Sequence, residues 1–122
     1  MSNSNLNEQL QAVTEYFSPK IVTAVDDHYI KVAKIKGNKI PWHAHDNGDE
    51  MFYILEGQLT METKEHGQFV MKQGDIFSVP KGVEHRVYSD TECHIMLIEG
   101  KETEHTGKVE SEITKSIEEQ KY

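Results

Sequence analysis

The sequence predicts an all-β sandwich or barrel preceded by one short helix, and three observations carry that prediction. Turn-forming clusters recur along most of the chain, at Asp26-Asp27, Gly37-Asn38, Asp46-Asn47-Gly48-Asp49, Gly57, His66-Gly67, Gln73-Gly74-Asp75, Lys81-Gly82 and Ser89-Asp90. The runs between them are short and rich in β-branched and aromatic residues, and several alternate, as where Leu59 and Met61 oppose Gln58, Thr60 and Glu62. Helical spacing is clear only near the N-terminus.

There, Leu6, Leu10, Val13 and Phe17 follow one another at helical intervals, and Asn5 with Glu8 forms an N-terminal cap, so residues 5–17 read as an amphipathic helix. Ser18-Pro19 ends it, because a residue before proline is pushed out of the helical region. Strands are expected over 20–25, 28–36, 40–45, 50–56, 58–63, 68–72, 75–79, 83–88 and 92–99. From 100 to 122 the chain turns polar, and Val109, Ile113 and Ile117 make a thin apolar stripe for a second helix or packed tail over 108–120. A chain of 122 residues has room for one hydrophobic core, hence one domain over 1–122.

The composition excludes several classes of function. No apolar run approaches the roughly 18 residues of a membrane span. The formal charge is −8 with no Lys/Arg cluster, which argues against nucleic acid or an anionic membrane as partner. The start, Met1-Ser2-Asn3-Ser4-Asn5, lacks the basic and apolar regions of a secretory signal, and Cys93 is the only cysteine. A cytoplasmic protein is expected.

One constellation carries chemistry. In a strand, His43 and His45 point to the same face, and the tight polar turn over 46–49 returns Glu50 toward them. His85 follows the rigid turn Pro80-Lys81-Gly82, which can swing another strand across to the same point. Three imidazoles and a carboxylate suit one divalent Fe, Mn, Ni, Zn or Cu ion better than Ca or Mg.

These residues resemble the two cupin motifs. Gly37, His43, His45, Glu50 and Gly57 match G-x5-H-x-H-x4-E-x6-G at every fixed position. Gly74, Pro80, Gly82 and His85 match the second motif, whose last asparagine is here Ser89. Trp42 before the ligand pair, with Val79 to Arg86 around the last ligand, looks most like small bacterial single-domain cupins, often labelled mannose-6-phosphate isomerase-like. The resemblance implies a double-stranded β-helix, or jelly-roll barrel, with the four residues as metal ligands. It leaves open whether Ser89 keeps a hydrogen bond behind the metal.

Parity extends the picture. If His43, His45 and Glu50 face inward, then Phe52, Ile54 and Val87 line the pocket with them, while Trp42, Ala44, Met51, Tyr53, Leu55 and Arg86 face outward. The outward apolar set is expected beneath the helix or at a subunit interface. His94, Met96 and Ile98 share one face and Ile95 and Leu97 the other, without indicating which is inside. His28, His66, His94 and His105 read as surface or packed histidines, and Gly37, Gly57, Gly74 and Gly82 as turn positions.

Four protein ligands on an octahedral ion leave two positions for exogenous ligands. The expected function is therefore a metal-dependent enzyme on a small oxygenated molecule, either dioxygenase-like or a Lewis-acid isomerase or lyase. The alternative is a non-catalytic small-ligand-binding module. A homodimer is expected, since the N-terminal strand and helix can pair across a two-fold axis.

Overall fold

The computed structural model describes residues 3–38 and 40–102, so the expectation for 108–120 lies outside the described residues. One helix, α1 (Leu6–Gln11), precedes seven strands: β1 (Lys20–Val25), β2 (His28–Gly37), β3 (Glu50–Glu56), β4 (Gln58–Thr63), β5 (Gly67–Lys72), β6 (Ile76–Val79) and β7 (His85–Gly100). Every pairing between these strands is antiparallel. One path runs β1-β2-β7-β3-β6, while β4, paired with β5, joins the first part of β7. Thus β7 serves both halves of the barrel: residues 85–88 pair with β4, and residues 94–99 with β3.

The main core lies between these surfaces and includes Ile35, Phe52, Ile54, Leu59, Met61, Met71, Cys93 and Ile95. A second cluster, Leu10, Val13 and Val32 with Leu6, Val22 and Leu55 against it, fills the space between α1 and the outer face of the sheet. Leu55 therefore packs with the helix cluster, as parity suggests. Among the described residues no helix is long and apolar enough to cross a membrane.

Three expected elements differ. The helix stops at Gln11 instead of running to residue 17, although Asn5 caps it by accepting from Glu8 N at 3.1 Å. Val13 still buries under it, but Phe17 takes φ 57°, donates its N–H to Lys34 O at 2.9 Å and enters the main core. A turn followed by irregular chain buries the same stripe a longer helix would. Residues 40–45 form no strand, only a bridge between His43 and His85, because Pro41 has no N–H for a ladder and the turn at 46–49 follows at once. Finally, 83–88 and 92–99 are not separated by a turn, since β7 runs through Ser89 and Asp90. Ser89 satisfies its hydroxyl on backbone, 2.7 Å from Gln58 O and 2.6 Å from Thr91 O, so a residue read as a turn former stays within the strand.

Gly57 shows how tightly that part of β7 is packed. Its φ is +84°, and a Cβ there would stand 2.8 Å from Glu92 O and 3.2 Å from the Cα of Cys93. Only glycine fits between β3 and β4 at this approach.

Candidate metal centre

Backbone hydrogen bonds bring the four expected ligands to one point. His43 and His85 exchange both bonds of their bridge, N to O at 3.0 and 2.8 Å, and Gly82 N donates to His45 O at 2.8 Å. The two turns behind them are tied as well, since Asp49 Oδ1 accepts from Lys81 N at 2.9 Å. Glu50 opens β3, opposite Val79 on one side and Glu99 on the other. One donor atom from each of His43, His45, Glu50 and His85 then lies within 4.8 Å of all the others. All four are buried, His85 to 1% exposure.

The proton positions show what the cluster can hold. A carbonyl only accepts, so His43 Nδ1 donates to Pro41 O (2.8 Å) and His85 Nδ1 donates to Val83 O (2.9 Å). In its neutral form each ring then turns an unprotonated Nε2 inward, the arrangement by which an outer hydrogen bond orients a metal-ligating histidine. Yet His85 Nε2 and His45 Nε2 each stand 3.2 Å from Glu50 Oε1. A nitrogen lone pair against a carboxylate oxygen is repulsive unless a proton or metal ion lies between. The donor set therefore fits a divalent ion of the borderline class.

Burial, and after it the electrostatic effect of the adjacent His85 ring, push the His43 imidazole down to about 4, so it stays neutral and available as a ligand. Burial raises the Glu50 carboxyl, but hydrogen bonding with His45 and His85, and after it the electrostatic effect of His45, outweigh it and hold the group well below the carboxylate range. Cys93 takes no part: burial pushes its thiol up to about 12.

Beside the ligands lies a cavity of about 30 Å³, walled by Phe17, Ile35, Phe52, Val87, Ile95 and Leu97, with His43, Glu50 and His85 at one side. Phe52 and Val87 thus line it. Ile54, expected with them, is fully buried in the core and does not border this cavity. Ile95 and Leu97 are the inward set of β7, so His94, Met96 and Ile98 are not. Among the described residues lining the cavity none is Lys or Arg. A second space of about 270 Å³ is bordered by Asn38, Glu62, Arg86 and Tyr88, and Ile40 and Val87 border both.

Trp42, next to His43, is half-buried and flanked by two cations. Lys64 Nζ stands 4.1 Å and Arg86 Cζ 4.7 Å from its ring centroid, and Arg86 Nε donates to Glu62 at 2.7 Å. Ser89 bonds backbone oxygens and none of the four clustered side chains, so its hydroxyl plays no part in orienting them.

Two buried charged residues escaped the sequence reading. Glu99 and Lys31 are 2% and 0% exposed, with Lys31 Nζ 2.5 Å from Glu99 Oε1. Burial first, then the charge of Glu50, raise the Glu99 carboxyl well above its ordinary range, against the opposing effect of Lys31. The available signal was parity, which places Glu99 with Ile95 and Leu97, and Lys31 with Ala33 and Ile35.

Comparison with known proteins accords with this fold and site. The cupin-domain family model matches residues 32–99. The uncharacterized protein YdbB of Bacillus subtilis (strain 168) is 34% identical over 83 residues, covering 68% of this chain and 73% of its own. The crystal structure of a cupin-2 domain containing protein from Shewanella frigidimarina superposes with a TM-score of 0.76 at 31% identity, covering 80% of this chain and 94% of that one. A 3-hydroxyanthranilate 3,4-dioxygenase of Xenopus laevis is 29% identical over 94 residues, which is 71% of this chain but 33% of that protein. Motifs, antiparallel barrel and relatives agree: this chain belongs to the cupin-2 family and has the cupin β-barrel fold.

Proposed function

We propose that the protein is a metal-dependent enzyme acting on a small oxygenated molecule, with dioxygenase-type chemistry. One observation carries the reading: three imidazoles and one carboxylate converge, buried, on the wall of an apolar cavity. A divalent ion bound there supplies Lewis acidity and, as iron, redox chemistry with dioxygen. His43, His45, Glu50 and His85 hold it, and the walls from Phe17 to Leu97 keep bulk water away. Among the described residues lining the cavity there is no cation to grip a phosphate, which favours an uncharged, apolar-bodied substrate with paired oxygens over a sugar phosphate. Similarity to the Xenopus dioxygenase supports the oxygenase over the isomerase or lyase reading.

Protein loaded with Fe²⁺ is expected to consume oxygen with at least one member of a panel of diols, aminophenols and carbonyl compounds, and His43→Ala to abolish that consumption. Absence of both oxygen uptake and turnover across the panel would overturn the reading. A second reading, ligand capture without turnover, is favoured by the small volume of the inner cavity, about 30 Å³. It predicts thermal shifts by panel members with no product, lost in His43→Ala.

We also propose a homodimer. In the sheet path β1 is an edge strand with Val25 59% exposed, the kind of edge that pairs with a second copy. Light scattering at micromolar concentration is expected to give twice the chain mass, and the mass of one chain would overturn it.

A further inference from the structure

We propose that Lys31 and Glu99 form a positioning pair for the metal ligand Glu50, so that ion affinity and coordination geometry depend on two residues that do not touch the ion. This rests on the reading of His43, His45, Glu50 and His85 as a metal site.

Strand register places the pair. Glu99 lies directly opposite Glu50 in the β3·β7 ladder, so the two carboxyl groups share the inner face. Lys31 of β2 lies opposite Leu97, the inward position next to Glu99, and reaches it diagonally to bring Nζ within 2.5 Å of Oε1. Glu99 therefore stands in register between Lys31 and Glu50, whose Oε1 faces His45 and His85.

Stability does not account for the pair. Both side chains are essentially without solvent in an interior built mainly from Ile, Leu, Val and Met. Burying an ammonium group with a carboxyl group commonly costs as much as their interaction returns, and apolar residues of like size in their place are often neutral or stabilising. A geometric effect on Glu50 does account for it. Lys31 fixes one oxygen of Glu99, while the other, Oε2, is buried without a hydrogen bond. A carboxyl group anchored behind Glu50 leaves that side chain its favourable orientation toward the imidazoles. Neither Lys31 nor Glu99 borders the cavity, so the role is positioning and not catalysis.

Co²⁺ is the probe that tests this, because its visible spectrum reports coordination geometry independently of turnover. Two variants are compared with wild type: the isosteric Glu99→Gln, and the double Lys31→Met/Glu99→Leu, which leaves no unpaired buried charge. Both are expected to bind Co²⁺ about 10–100-fold more weakly, with shifted absorption bands. The metal-free double variant should melt at or above the wild-type temperature. A folded variant with wild-type affinity and spectrum would overturn the proposal, as would unfolding of both, which would make the pair structural. Wild-type protein that takes up no Co²⁺ would instead remove the metal-site reading itself, so the two failures are distinct.

Discussion

Ile54 and Glu50 both point into the barrel from β3, four positions apart, and their surroundings are opposites. Ile54 belongs with Leu59, Met61, Met71 and Ile95, all between 0 and 2% exposed and all apolar. Glu50 belongs with three imidazoles, Glu99 and, through it, Lys31. Each large apolar side chain at the first end contributes about 1.5–3 kcal/mol by leaving water. At the second end every buried polar group carries a desolvation cost that hydrogen bonds and ion pairs only partly offset. The apolar end keeps the barrel folded, and the polar end relies on that rigidity to hold groups that would otherwise seek water.

The sharpest way to separate the ends is Ile54→Ala. Its side chain is fully buried opposite Ile95, and the strand around it is pinned by Ile54 N to Asp75 O at 3.0 Å and Gly74 N to Ile54 O at 2.8 Å. The truncation is expected to cost about 2–5 kcal/mol, read from the denaturant midpoint, because the backbone cannot collapse into the cavity. Co²⁺ stoichiometry of the folded variant should be unchanged. Loss of Co²⁺ uptake at unchanged stability would mean that the two ends are not separate.

The polar end is tested by acid. In the metal-free protein His43 titrates at about 4 against an ordinary 6.5. Between those values the unfolded chain binds a proton that the folded protein does not, so stability falls as pH falls, by on the order of 3 kcal/mol from this group. Glu99 acts in the opposite sense. Its raised carboxyl gives a contribution that is complete below the ordinary carboxylate range and is lost as pH rises. The difference between wild type and His43→Gln isolates the histidine. The variant is expected to lose less stability between pH 6.5 and 4, and equal slopes would show that the ring does not pay the desolvation assigned to it.

The cluster of His43, His45, Glu50 and His85 was legible because three of its members lie within eight residues and their motif spacing is local. The placement of Leu55 under the helix followed from alternation along β3. What was not legible depends on register between distant strands. Lys31 and Glu99 look like solvated charges until β2, β7 and β3 align, and only that alignment puts them behind Glu50. The helix was overextended for a related reason: its apolar spacing records which residues are buried, and Phe17 is buried from a left-handed backbone and not from a helix.

Ser89 gives the smallest effect and the finest division between the ends, since it sits on β7 four residues beyond His85 of the polar cluster yet serves the apolar half. Its hydroxyl has a single proton to share between Gln58 O and Thr91 O, the backbone on either side of the place where β7 leaves β4. Ser89 is 4% exposed, so alanine there removes a hydroxyl that the strand satisfies from inside the fold. Ser89→Ala is therefore expected to cost about 1 kcal/mol. Co²⁺ affinity and spectrum should stay at wild-type values, because His85 is held from the other side, by its bridge to His43 and by Val83 O. An altered Co²⁺ spectrum would mean that strain at the bend reaches His85 along the strand, and that the family's asparagine position acts on the metal through the backbone and not through a direct hydrogen bond.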